Sequence, residues 1–262
     1  MGVESAVEKT IKYASNFESH INVNEIKKRL ISKNIYSEEM IETEISKLNW
    51  INKKNKWEKI KIIKAKKLAS LIRNKFGEIL FLGVSGSVAA AHPKKNDDID
   101  LLVITRANTL WKNRLFLRWW MYKNKIPHRK YNQIELKDQF CFNLWLDENY
   151  LQIPKNRQNL NNAIDLILLK PLINKNNTYE KFLLSNSWAA KFVATGYYEK
   201  VSSIKPCLST GRYLVFSKKN ESFLGKINNW LYFWLQYWYM KPKIFKEKVD
   251  LHQAFFHKPM VK

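Results

Sequence analysis

The chain has 262 residues, 46 Lys and Arg against 23 Asp and Glu, and a formal charge of +23. That length fits one large domain or two modest ones, and 45% hydrophobic residues supply a core, which excludes global disorder. Seven Gly and seven Pro exclude collagen-like and linker-like chains, while two cysteines, Cys141 and Cys207, exclude a disulfide framework and a four-cysteine zinc site and point to a reducing, cytoplasmic protein.

The first twenty residues lack the apolar run of a secretory signal, and no window reaches about 18 apolar residues, so no spanning helix is expected. The basic balance points to a polyanion: nucleic acid, a nucleotide or an anionic membrane face. The same richness in Asn, Lys and Ile follows from AT-rich coding, which lowers its weight.

Residues 1–57 read as three small helices and a hairpin. The first, about 4–16, spaces Val7, Ile11 and Ala14 helically. Asn22 caps a second with Val23, Ile26, Leu30 and Ile31, and Ser37 caps a third with Met40, Ile41, Ile45 and Leu48. The stretch from Trp50 to Trp57 reads as two aromatic-flanked arms around a basic tip. This is the layout of a winged helix-turn-helix, whose third helix and wing usually meet DNA. The third helix carries Glu38, Glu39, Glu42 and Glu44 against Lys47, a poor face for a phosphate backbone, so docking to protein is the favoured use.

A charged helix follows over about 58–76, with Ile60, Ile63, Leu68, Leu71 and Ile72 expected to pack. From residue 79 short strands alternate with helices. Ile79–Val84, Ile99–Thr105 and Phe140–Leu146 read as strands, and 108–124 as a helix with Leu110, Trp111, Leu115, Phe116, Trp119 and Trp120. Residues 156–200 read as helical, followed by a mixed stretch. The terminal helix holds seven aromatics in the eleven positions from Trp230 to Met240. Base stacking and seating on an anionic membrane are open for it, but aromatics on every face favour burial on several sides.

The chemistry sits between Phe81 and Ile104. A strand ends at Gly83-Val84-Ser85-Gly86-Ser87 and runs into a short helix. Glycine admits a phosphate to the backbone, a helix start presents free N–H groups, and Ser87 adds a hydroxyl donor. Eleven positions past Ser87 come Asp98 and Asp100, on one face of a strand start with Ile99 on the other. Two carboxylates so placed can share a divalent metal, and metal beside a phosphate cradle suits phosphoryl or nucleotidyl transfer. A P-loop is absent, Ser87 breaks the G-x-S-x-G hydrolase elbow, and the window lacks G-x-G-x-x-G.

Gly86-Ser87, a spacer, and Asp98-Ile99-Asp100-Leu101 resemble the signature of the DNA polymerase beta-like nucleotidyltransferase superfamily, over about residues 79–147. The resemblance implies an α+β fold: a mixed sheet with flanking helices in a 58–150 core, after the winged-helix-like unit at 1–57 and before a helical C-terminal region at 151–262. It implies transfer of a nucleotide from a nucleoside triphosphate to a hydroxyl, with Asp98 and Asp100 holding Mg²⁺ or Mn²⁺ and Gly86 and Ser87 the triphosphate. The acceptor is open, with nucleic acid favoured by charge.

One position departs from the pattern. Where the family's third carboxylate is expected, on the strand from Gln139 to Asp147, stands Asn143, which has no charge. Asp147 shares its parity, and Glu135 or Asp138 could reach in from the strand's start. A carboxylate set left incomplete leads to the rival reading, a nucleotide sensor that does not catalyse. Asp97 reads as a solvated loop carboxylate. His92, Lys94, Lys95, Arg129 and Lys130 are phosphate candidates. His252 and His257 are five apart, which is not the spacing of a helical metal pair.

Overall fold

A computed structural model of the chain describes residues 2–17, 21–48, 55–129, 137–208, 223–244 and 247–256. Helices α1 (Val3–Ser15), α2 (Val23–Lys28) and α3 (Glu38–Ser46) open it. Asn22 accepts from Glu25 N at 2.9 Å while Glu25 Oε2 accepts from Asn22 N at 3.1 Å, a reciprocal capping box that fixes where α2 begins. Ala6, Val7, Ala14, Ile26, Ile41 and Ile45 gather these helices around a small core of their own. The acids of α3 are partly used within the unit, since Lys27 reaches both Glu38 (2.5 Å) and Glu42.

The tip of the expected hairpin lies in 49–54, outside the described residues. Its second arm is corrected: Lys56 and Trp57 open α4 (Lys56–Lys75), because Asn55 Oδ1 accepts from Trp57 N at 2.9 Å and caps the helix there. The packed face of α4 also differs from the expected one. Lys61, Ala65, Leu68, Ala69 and Ile72 are buried, one stripe at helical spacing, whereas Ile60, Ile63 and Leu71 face outward. A buried lysine sets that phase.

Strands β1 (Ile79–Val84), β2 (Ile99–Thr105), β3 (Phe140–Asp147), β4 (Lys170–Asn174), β5 (Lys248–Val249) and β6 (Gln253–Phe255) form one mixed sheet ordered β4-β1-β2-β3-β6-β5. Only β2 and β3 run parallel, joined through α6 (Leu110–Lys123); all other neighbours are antiparallel. β1 is buried along its whole length and β2 at all but Asp100, as befits central strands covered on both faces. Helix α4 lies along β1 and β4.

The region from 151 onward is not purely helical. It returns β4, β5 and β6 to the sheet between α7 (Leu160–Leu168), α8 (Thr178–Ser185), α9 (Ala190–Leu208) and α10 (Phe223–Met240). β4 hides in the sequence because its apolar residues continue those of α7, and because it contains Pro171, which suits an edge strand. Near its start α9 breaks helical geometry at Val193 (φ −138°), and that residue bridges to Ser32 while Ala194 N donates to Ser32 O at 2.9 Å. The N-terminal helices are thereby tied to the body.

The terminal aromatic helix is not buried all round. α10 turns Asn229, Phe233, Gln236 and Met240 inward and leaves Trp230, Leu231, Leu235, Trp238 and Tyr239 between 50% and 67% exposed. Its two buried amides set the rotation. Asn229 Oδ1 accepts from Trp111 N (3.1 Å), and Gln236 donates to Trp111 O (2.7 Å) and accepts from Arg114 Nη1 (2.6 Å). Any other rotation would forfeit these hydrogen bonds and leave the Trp111 and Arg114 polar groups beneath α10 without their amide partners, at roughly 1–3 kcal/mol each.

Candidate metal centre

The antiparallel pairing of β1 and β2 brings the end of one strand beside the start of the other. Ser85 N donates to Asp100 O at 3.0 Å, and Gly86 opens the four-residue helix α5 (Gly86–Ala89) with φ +61°. A Cβ on Gly86 would overlap Asp100 Oδ2, so the carboxylate lies directly against the glycine turn. Both the backbone sign and the space require glycine.

The loop between α5 and β2 is anchored from beneath. Lys61 Nζ, buried on α4, donates to Asp97 O (2.6 Å), to Lys95 O (3.4 Å) and to Asp138 Oδ1 (2.9 Å). Lys64 Nζ takes the other oxygen of Asp138 at 2.7 Å. Partial burial would raise the Asp138 pKa, but the hydrogen bonds from Lys64 and Lys61 outweigh it and hold the group below the usual range. Asp97 is not a merely solvated carboxylate. Its Oδ2 accepts from Ser87 Oγ (2.9 Å) and Lys94 N (2.8 Å), which closes the loop and engages the Ser87 hydroxyl.

Asp98 and Asp100 reach one face of the sheet, and parallel β3 places Cys141 opposite Asp100. Ligand atoms of Asp98, Asp100 and Cys141 all lie within 4.8 Å of one another, and the three form a group able to hold a metal ion. Two carboxylate oxygens and a sulfur are a plausible donor set for a divalent cation. A register shift after Leu101 lets Asn143 join the same cluster. Cys141 Sγ donates to Asn143 Oδ1 at 2.7 Å, and Asn143 Nδ2 donates to Asp100 Oδ1. Arg129 Nη1 meets Asp98 Oδ2 at 3.2 Å and lies 3.8 Å from Cys141 Sγ. Burial first, then Asp100 and Asp98, push the Cys141 thiol far above its ordinary pKa, against the pull of Arg129.

Asp147 and Asp138, the other described carboxylates named from sequence, do not join. Asp147 sits four residues beyond Asn143, about 13 Å along the strand. It is buried, accepting from Asn108 N (2.6 Å) and Asn149 N (2.9 Å), with His252 Nδ1 at 3.6 Å. Asp138 is turned to the two lysines, and Glu135 and Lys130 lie outside the described residues, as does His257. The His252 ring stacks on Tyr150 at 3.9 Å, at the Asp147 end of β3. Burial and Arg29 lower the His92 pKa. A cavity of about 1000 Å³ lies past the far end of β3, lined by Tyr150, Trp234 and Tyr237 among others, and does not include Asp98 or Asp100.

Three residues escaped the sequence reading. Cys141 had a signal, since it shares Asn143's strand parity, but the parallel register that sets it against Asp100 was not deducible. Lys61 was hidden among surface lysines. Arg118 of α6 has no local signal that sets it apart from the other basic residues; burial lowers its pKa, opposed by Tyr239 and Cys141. Comparison of the chain with protein-family models, with curated proteins and with solved structures gave no match. Among the described residues no helix is long and apolar enough to cross a membrane.

Proposed function

We propose that the protein is a metal-dependent nucleotidyltransferase that moves a nucleoside monophosphate from a nucleoside triphosphate to an acceptor hydroxyl. The observation that carries this reading is the convergence of Asp98, Asp100 and Cys141 within 4.8 Å beside the Gly86 turn. The resemblance of Gly86-Ser87 and Asp98-Ile99-Asp100 to the nucleotidyltransferase signature supports it. Asp98 and Asp100 hold the cation, Mg²⁺ or Mn²⁺, through carboxylate oxygens, the donors that both ions favour. When bound, the ion supplies charge stabilisation for the triphosphate. Gly86 lets the turn close against the Asp100 carboxylate, which sets that carboxylate at the start of α5. Arg129, beside Asp98, is placed to exchange its carboxylate for a phosphate oxygen. A basic chain favours a nucleic-acid acceptor.

A second reading has its own observation. Among the described residues no third carboxylate joins the pair, and Asn143 spends its amide on Asp100. That arrangement suits a protein that binds a metal nucleotide without transferring it and signals through its N-terminal helices. Incubation with α-labelled nucleoside triphosphates and candidate acceptors separates the two. Label transfer that Asp98→Ala and Asp100→Ala abolish supports the enzyme; metal-dependent binding with no transfer supports the sensor.

A further inference from the structure

The face formed by α6 and α10 has no role in the site described above. Along α10 the outward stripe Leu224, Ile227, Leu231, Leu235 and Trp238 advances by three or four residues at each step, a continuous apolar face. α6 adds Phe116, Trp119 and Tyr122, exposed by 42%, 57% and 71%. Phe116 and Tyr232 make a ring contact at 5.8 Å that joins the two helices into one surface. Monomeric proteins rarely expose contiguous apolar faces of this kind without a partner. Here the face is specified, because the paired amides of Asn229 and Gln236 hold the opposite side of α10 against α6.

Charge selects the partner. Neither helix contains an Asp or Glu; Arg114 is buried against Gln236 and Lys112 pairs with Glu78, which leaves Lys123 of α6 and Lys226 of α10 as the cations beside the face. Lys123 Nζ lies 5.4 Å from the Trp119 ring centre, and Lys241 Nζ 5.4 Å from that of Trp238, so cations rim the aromatics. A second copy of a chain with charge +23 would meet like charge across such a face. Nucleobases stack on rings, not on the aliphatic Leu224, Ile227, Leu231 and Leu235 that run down the middle. Neither helix is long and apolar enough to span a bilayer. Aliphatic centre, Trp and Tyr flanks and a lysine rim match the headgroup–acyl boundary of a bilayer with anionic lipids.

We propose that the α6–α10 face seats the protein on an anionic membrane surface, with Trp119, Leu231, Leu235 and Trp238 entering the interface and Lys123 and Lys241 meeting lipid phosphates. The seating does not depend on the nucleotide reading. The test is flotation of the full chain with phosphatidylcholine vesicles and with vesicles containing phosphatidylglycerol, beside Leu235→Ser/Trp238→Ser and Lys123→Glu/Lys241→Glu. Expected is binding to the anionic vesicles that weakens in high salt and falls about tenfold or more in each double variant. Quenching of wild-type tryptophan emission by brominated lipid gives a readout that needs no variant to fold. Absence of flotation and quenching overturns the proposal. So does equal binding to both vesicle types, a dimer in light scattering that Leu235→Ser/Trp238→Ser dissolves, or single-stranded RNA binding through this face with no lipid binding.

Discussion

Replacing Gly86 with alanine strikes backbone and site together. Its φ of +61° costs an L-residue roughly 1–2 kcal/mol, only partly offset by about 0.4–1 kcal/mol from a stiffer unfolded chain. The new methyl also overlaps Asp100 Oδ2, so Asp100 must swing away and lose its hydrogen bond from Asn143, about 1.5–3 kcal/mol for a charged acceptor. The sum is roughly 2–4 kcal/mol, or about 4–16 °C of melting temperature at 2–4 °C per kcal/mol. Metal affinity should fall with it, since one of the two carboxylates has moved. Gly77→Ala is the control: a Cβ there meets nothing within 4 Å and its φ is not positive. Differential scanning fluorimetry with and without Mn²⁺ reads both effects. A Gly86→Ala protein that melts like Gly77→Ala and keeps the Mn²⁺ shift would refute the placement of Asp100 against the turn.

Lys61→Met removes the buried cation beneath the 94–97 loop and should destabilise by about 3 kcal/mol, the low end for a broken buried pair because Lys64 still holds Asp138; a urea midpoint close to wild type would contradict that anchor. Burial lowers the Lys200 pKa from 10.5 to about 8, so holding it charged opposes folding below pH 8 and ceases to do so as pH rises to the unfolded value. Wild-type stability should therefore rise between about pH 8 and 10.5 relative to Lys200→Met, and parallel pH profiles would show that Lys200 is not so perturbed. Asn143→Asp places a third carboxylate beside Asp100: melting should drop without metal and recover with Mg²⁺ or Mn²⁺, and a variant indifferent to both ions would place Asn143 outside the centre.

Local signals carried much of the fold. Caps at Asn22 and Ser37 and the strands at Ile79–Val84 and Ile99–Thr105 are set by nearby residues and appear where the sequence suggests. What failed depends on tertiary pairing. Which face of α4 packs was decided by Lys61, whose partners lie at 95, 97 and 138 in the chain. The orientation of α10 was decided by two amides that bond to Trp111 and Arg114, more than a hundred residues away. The site divides in the same way. Gly86, Asp98 and Asp100 stand out through spacing alone, because a strand, a turn and a second strand form one contiguous unit. Cys141 enters only through the parallel register of β3 against β2, and Asp147 leaves because Asn108 and Asn149 claim its oxygens.

Asp98, Asp100 and the Gly86 turn are proposed to form a metal-dependent nucleotide site. Calorimetry with ATP, GTP, CTP and UTP, with and without Mg²⁺ or Mn²⁺, on wild type and on Asp98→Ala/Asp100→Ala tests it most directly. One nucleotide should bind only with the divalent ion and only when both aspartates are present. Nucleotide binding that survives loss of the two aspartates, or no binding of any nucleotide by a folded wild type, would contradict it.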